Sequence, residues 1–153
     1  REVYSSVEWP VIILLASVIP LGAALESNGT TELIVQVLTK YALTMEPWLI
    51  IAILMIVTMT LSDILNNTAT TLVIAPISIQ LAQTLSLNAD TFLMAVAISA
   101  SCAFLTPIGH KNNTIILGPG GYRFGDYWRM GILLEVLIIL TSIPLLLLFW
   151  PIN

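Results

Sequence analysis

The stretch Ser62-Asp63-Ile64-Leu65-Asn66-Asn67-Thr68-Ala69-Thr70-Thr71 decides how this sequence folds, because it is polar and has apolar sequence on both sides. Before it lies Trp48–Leu61, 14 residues without a charge, and after it an apolar stretch continues through Pro76 to about Leu85. At 1.5 Å per residue the first arm is about 21 Å long, whereas crossing the hydrocarbon core takes about 20 residues of helix. Two short arms around a polar tip predict a helical hairpin over residues 48–85 that enters and leaves on one side, with its tip inside the membrane. The competing reading, a polar loop in water with Asn66-Asn67 as a turn, leaves two spans that are too short.

The pattern then recurs. Phe92 to Leu105 is again small and apolar, ends at Thr106-Pro107-Ile108-Gly109-His110-Lys111-Asn112-Asn113, and resumes briefly at Ile115 to Leu117. Proline removes a backbone donor and disfavours helix in the residue before it. The expectation is one pass over 92–117 broken near its middle; the plainer alternative is a proline kink. Around these two features the sequence predicts a span over 9–25, an amphipathic helix over 30–40 lying along the membrane surface, and an uninterrupted span over 131–150.

Composition supports this reading. Apolar residues make up 58% of the 153 and charged residues 9%, against about 25% charged in a soluble domain. Too little charge remains to cover a surface with water-loving groups, so the chain reads as an all-α, multi-pass membrane protein with lipid as its surroundings. Arg1, Arg123 and Arg129 favour a cytoplasmic start and an outer C-terminus, with Lys40 as the one outside exception. The chain opens on Arg1 rather than Met, which reads as a fragment of a longer protein. No basic patch suggests nucleic acid, the single Cys102 forms no disulfide framework, and one histidine makes no metal site. With no paired-histidine motif and no nucleophile elbow, an enzyme is not expected.

Irregular backbone survives inside a bilayer only where it lines a cavity or is buried in protein, and discontinuous helices at mid-depth are how many secondary transporters build their sites. Helix N-termini attract anions, while freed carbonyls coordinate cations. Asn66, Asn67 and Thr68 offer amide donors, amide carbonyls and a hydroxyl; Thr106-Pro107 offers a hydroxyl and unpaired carbonyls to the same cavity. Asp63 and Glu135 are costly acids at membrane depth. Asp63 is placed to assist a cation, and Glu135, nearly two turns into the last helix, reads as an interfacial or helix–helix hydrogen bond rather than a functional acid. His110 with Lys111 reads as an anion contact, a proton relay or a structural pair, and Gly118-Pro119-Gly120-Gly121 as a tight turn.

These residues resemble the divalent anion:sodium symporter (DASS) family, the dicarboxylate and sulfate carriers, and in particular its permease-like bacterial branch. The resemblance runs through Pro20-Leu21-Gly22, Asn66-Asn67-Thr68-Ala69-Thr70, Thr106-Pro107-Ile108-Gly109 and Gly118-Pro119-Gly120-Gly121-Tyr122-Arg123-Phe124-Gly125-Asp126. It implies the second of two inverted repeats, the C-terminal half of a secondary transporter with a re-entrant hairpin and a broken helix, in the cell membrane. It also implies a sodium-coupled symporter of small divalent anions, sulfate or di- and tricarboxylates; the alternative is a related ion transporter such as an arsenite exporter or a sodium/proton antiporter. Carried over residue by residue, Asn66, Asn67, Thr68, Thr106 and Pro107 contact substrate. Ser62, Leu65, Asn67 and Leu105 hold sodium, Leu65 and Leu105 through their carbonyls. Asn66 stands where the family has Ser, which leaves the anion open. The implied partners are the small anion, sodium as coupling ion with no other cofactor, the N-terminal half of the transporter, and a second copy in a homodimer.

Overall fold

The structure, a computed structural model, describes residues 13, 16, 20, 24, 27–42, 44–65 and 67–152. The span expected over 9–25 lies outside them except at isolated positions, and Asn66 lies outside them. Among the described residues the regular structure is all helical: α1 (Thr30–Ala42), α2 (Pro47–Ile64), α3 (Asn67–Thr84), α4 (Ala89–Ala100), α5 (Lys111–Leu117) and α6 (Phe124–Phe149).

α2 is longer than its apolar run. Pro47 sits in its first turn, where the missing N–H has no intrahelical partner to lose. The helix then continues through Ser62, Asp63 and Ile64 to 18 residues, about 27 Å. The sequence-based length of 14 residues is therefore too short, and α2 and α6 are both long and apolar enough to cross a membrane. Ser62 and Asp63 remain helical because their side chains, both buried, find partners inside the protein. α6 likewise starts at Phe124, seven residues ahead of the expected span. The Asp126 carboxylate accepts the Arg123 N–H at 2.7 Å and closes the first turn, where an acid is favoured.

The break is also wider than a proline kink. α4 stops at Ala100, and α5 begins only at Lys111, so residues 101–110 are unwound. Upstream, the link over 85–88 reverses the chain, with Ser86 in the left-handed region (φ 56°). Asn88 caps α4 by accepting the Asp90 N–H at 3.0 Å.

α4 is the centre of the packing, in contact with α2, α3 and α6. Its small residues Ala95, Ser99 and Ala100 are buried and let neighbouring backbones approach, as small residues do in membrane helix pairs. Phe92, Ile51, Met55 and Met59 fill the space between them and are fully buried. Thr58 and Ser99 donate to the carbonyls of Leu54 and Ala95, each at 2.7 Å, so these polar groups need no water. α1 buries Val35 and Ala42 and packs Leu38 against the core but leaves Leu33, Val37 and Tyr41 exposed, so its apolar stripe is only partly covered by the other described helices.

Hydrogen bonds tie the two ends of this bundle. At one, Asn88 donates to the carbonyls of Pro151 and Ile152 at 3.0 and 2.9 Å, and Thr91 donates to that of Trp150 at 3.0 Å. The end of α6 is thus fixed to the start of α4. At the other, the end of α2, the start of α3 and the end of α4 converge. α2 leads into this convergence and α3 leads away from it. Cysteines placed at Pro47 and Asn88 in the intact protein are therefore expected to react with an impermeant maleimide from the same side of the membrane; reaction from opposite sides would contradict the hairpin.

Candidate functional site

The convergence of helix ends is where the expected site residues meet. The Ser62 hydroxyl, fully buried, donates to the Ala100 carbonyl at 2.7 Å. Asn67 is the first residue of α3, and its amide reaches back into the same space. One amide atom lies 3.1 Å from Ser62 Oγ, 3.1 Å from the Ala100 carbonyl oxygen and 3.2 Å from that of Gly109. With no ion between them that atom is the nitrogen, donating to this set of oxygens. Turned by 180° the amide presents its oxygen instead, which accepts the Ser62 hydroxyl at 3.1 Å and faces the carbonyl oxygens of Ala100 and Gly109 without a donor from them.

The unwound segment is held against the end of α2 by Asp63. Its Oδ1 accepts the N–H groups of Leu105 and Thr106 at 2.9 and 3.3 Å. Its backbone carbonyl accepts the Thr106 hydroxyl at 2.6 Å, and that hydroxyl in turn accepts the N–H groups of Ile108 and Gly109 at 3.2 and 3.3 Å. Asn113 donates to the carbonyls of Ala103 and Thr106, each at 3.2 Å, and Thr114 donates to that of Pro107. Buried backbone groups freed from a helix need such partners, and here side chains of α2 and α5 supply them.

Of the expected residues, Ser62 and Asn67 share one hydrogen-bonded cluster, with Thr106 beside it through Asp63. Ala100 and Gly109 join that cluster through their carbonyls, which no side-chain pattern in the sequence announces. Leu65 lies at the turn with its N–H on the Leu61 carbonyl, and Leu105 gives its N–H to Asp63. Thr68 is half-buried on the first turn of α3. Pro107 is buried and its carbonyl is occupied by Thr114. His110 caps α5, accepting the Asn112 N–H at 3.4 Å.

Glu135 belongs to the site as well. It projects from α6 to the carboxyl of Asp63 and meets the backbone of Phe104. Asp63 and Glu135 are 3% and 9% exposed. Asp63 Oδ2 and Glu135 Oε1 are both fully buried without a donor. A cavity of about 470 Å³ is lined by Gly131 together with Phe104, Tyr122, Tyr127 and Leu134. Its walls are apolar and its one charge is the acid Asp126, so it does not suit an anion.

Two glycines set these distances. A Cβ on Gly109 would lie 2.6 Å from the Ser62 carbonyl oxygen, and one on Gly131 2.5 Å from that of Phe104. Alanine at either position pushes the unwound segment off α2 or α6, with an expected loss of about 1–3 kcal/mol, read as thermal unfolding of the detergent-solubilised protein. Gly125→Ala, where nothing lies within 4 Å, is expected to leave the melting curve in place.

The chain is similar to proteins named as transporters. It is 38% identical over 99% of its length to an uncharacterized transporter of Synechocystis, and 31% identical over 99% to an uncharacterized transporter of Escherichia coli. It is 29% identical over 86% of its length to the sodium-dependent high-affinity dicarboxylate transporter 3 of Caenorhabditis elegans. In each case it spans about a quarter of the relative, 25%, 25% and 23%. The model of one transporter family matches residues 1–88 and again residues 41–152. Together these two matches cover residues 1–152, and by them the chain belongs to the citrate transporter (CitMHS) family.

Proposed function

We propose that this chain supplies one half of the substrate and ion site of a sodium-coupled symporter for small divalent anions, di- or tricarboxylates or sulfate. The observation that carries the reading is the Asn67 amide, enclosed by Ser62 Oγ and the carbonyls of Ala100 and Gly109. A dehydrated sodium ion needs several neutral oxygens, and rotation of one amide changes this cluster from self-satisfied to ion-binding. The cargo ion and the amide nitrogen compete for the same oxygens, so binding of sodium is linked to the orientation of Asn67. The name of the Caenorhabditis elegans relative, a sodium-dependent dicarboxylate transporter, agrees with such chemistry.

The anion half-site follows from the same turn. The start of α3 points its free N–H groups and positive dipole end at the tip, with Asn67 and Thr68 on its first turn; Asn66 directly precedes them in the sequence. Thr68 carries the hydroxyl for the anion, while Thr106 and Pro107 act by holding the unwound segment, since their polar groups are already engaged. Sodium placed between the Asn67 and Ser62 oxygens adds a positive charge next to this half-site, which favours loading of both together. In this reading α2 and α3 form a re-entrant hairpin within the second of two inverted repeats, and a second hairpin from the rest of the transporter completes the site. Residues 41–88 are matched twice by the family model, as a family that repeats its hairpin would give.

Uptake of labelled succinate and sulfate by the intact transporter in proteoliposomes tests the function, and strict dependence on a sodium gradient is expected. Asn67→Ala is expected to raise the sodium concentration for half-maximal uptake by about tenfold or more, the effect of losing about 1.4 kcal/mol of ligand interaction. Wild-type sodium dependence in that variant removes Asn67 from the site. A cysteine at Leu65 is expected to react slowly with aqueous maleimide and to be protected by sodium plus anion. Fast, unprotected reaction from the side opposite Pro47 would make α2 and α3 two full crossings instead.

A further inference from the structure

We propose that the cavity beside Gly131 is a lipid site, which takes one acyl chain of an aminophospholipid and holds its ammonium group at Asp126. The cavity has a volume of about 470 Å³, and its wall along α6 is one helical stripe of Asp126, Met130, Leu133, Leu134 and Leu137. These positions recur every three or four residues and so lie on one face of the helix. Polarity changes along that face. Tyr122, Asp126 and Tyr127 stand at or just before the start of α6, and the α6 side chains that line the cavity beyond them are apolar.

The dimensions fit one leaflet of a bilayer. From Asp126 to Leu137 the helix rises about 16 Å, and half of the hydrocarbon core is about 15 Å deep. The sequence at the polar end has the composition of a membrane–water interface, with Tyr122, Phe124, Tyr127 and Trp128 beside Arg123 and Arg129; such residues settle at headgroup level. A phospholipid is graded in the same order, charged at the interface and apolar below it. Met130 and Leu133 on the wall are 79% and 72% exposed, so the cavity opens sideways, as entry of a chain from the bilayer requires.

Charge selects the headgroup. Asp126 is the one charged residue on the cavity wall. Its Oδ2 accepts the Arg123 N–H at 2.7 Å, a dipole rather than a charge, so the carboxylate keeps its attraction for a cation. Tyr122 and Tyr127 form a T-shaped pair with ring centroids 6.1 Å apart, and aromatic faces attract ammonium groups. A primary ammonium donates hydrogen bonds to the carboxylate, and the phosphate that follows it in the lipid lies outside the cavity, at the level of the exposed Arg123 and Arg129. An anionic headgroup without an amine places negative charge against Asp126 instead. Phe104 of the unwound segment and Asn113 also line the cavity, and Asn113 holds the carbonyls of Ala103 and Thr106. A bound chain therefore braces the segment that carries Thr106. The inference concerns the lipid and holds whichever ion or anion is carried.

Native mass spectrometry of the intact transporter, released from mild detergent after incubation with phosphatidylethanolamine or phosphatidylglycerol, tests the site without any transport measurement. Bound phosphatidylethanolamine is expected to survive release, with an affinity about two- to fivefold above that of phosphatidylglycerol, the effect of one exposed ion pair. Asp126→Asn keeps an acceptor for the Arg123 N–H and is expected to bring the two lipids level. Leu134→Trp fills the cavity and is expected to lose the bound lipid, whereas Leu148→Trp, at an exposed position near the far end of α6, is expected to retain it. Absence of a retained lipid in the wild type, the result if the rest of the transporter covers the cavity, overturns the proposal. So does equal or tighter binding of phosphatidylglycerol, or retention by a Leu134→Trp variant that melts like the wild type. A preference that survives Asp126→Asn overturns it too, and that comparison stands even where Leu134→Trp fails to fold.

Discussion

The Asp63 carboxylate is the interaction on which the rest of the site depends. One of its oxygens gathers the N–H groups of Leu105 and Thr106, and its own carbonyl takes the Thr106 hydroxyl. Ten residues of unwound chain leave many backbone groups without helical partners, and each is costly where it is buried without another. Asp63 and Thr106 satisfy enough of them to make the open conformation of 101–110 a stable one. A helix running from α4 through α5 would satisfy those groups as well, but Pro107 cannot join it without a break.

From this follows the position of everything else in the cluster. Holding Thr106 against Asp63 brings Gly109 onto the last turn of α2, close enough that a side chain would not fit. The Gly109 carbonyl then faces the same point as the Ala100 carbonyl and the Ser62 hydroxyl. Asn67 can reach that point because only two residues join α2 to α3. The cluster is therefore made of backbone oxygens aimed by unwinding, plus two side chains at helix ends, which is the construction discontinuous helices permit.

The energetic character of the site is uneven. Around Asn67 the groups are neutral, and either orientation of its amide finds a partner in the Ser62 hydroxyl. Around Asp63 and Glu135 they are ionisable and buried, so charge there is expensive. α6 lies mostly exposed, with Gly131 as its close seat against Phe104. The far end of α6 is fixed to α4 through Asn88 and Thr91.

Much of this was legible in the sequence. Charge scarcity marked the membrane setting, and the polar interruptions at 62–71 and 106–113 marked the two places where helices end together, because polar residues inside apolar runs must find partners. Ser62, Asn67 and Thr106 were identifiable for the same reason. The length of α2 was not, since Ser62 and Asp63 look like loop residues until their buried partners are known; nor was the start of α6, where Asp126 serves as a cap. The carbonyls of Ala100 and Gly109 left no mark in side-chain chemistry at all. The pairing of Asp63 with Glu135, 72 positions apart in the chain, is a contact between helices that periodicity within either helix does not encode. The sequence by itself determined the setting and the breaks, through solvation of side chains; only the tertiary structure decided which backbone oxygens and which acids share a space, because that depends on how helix ends converge.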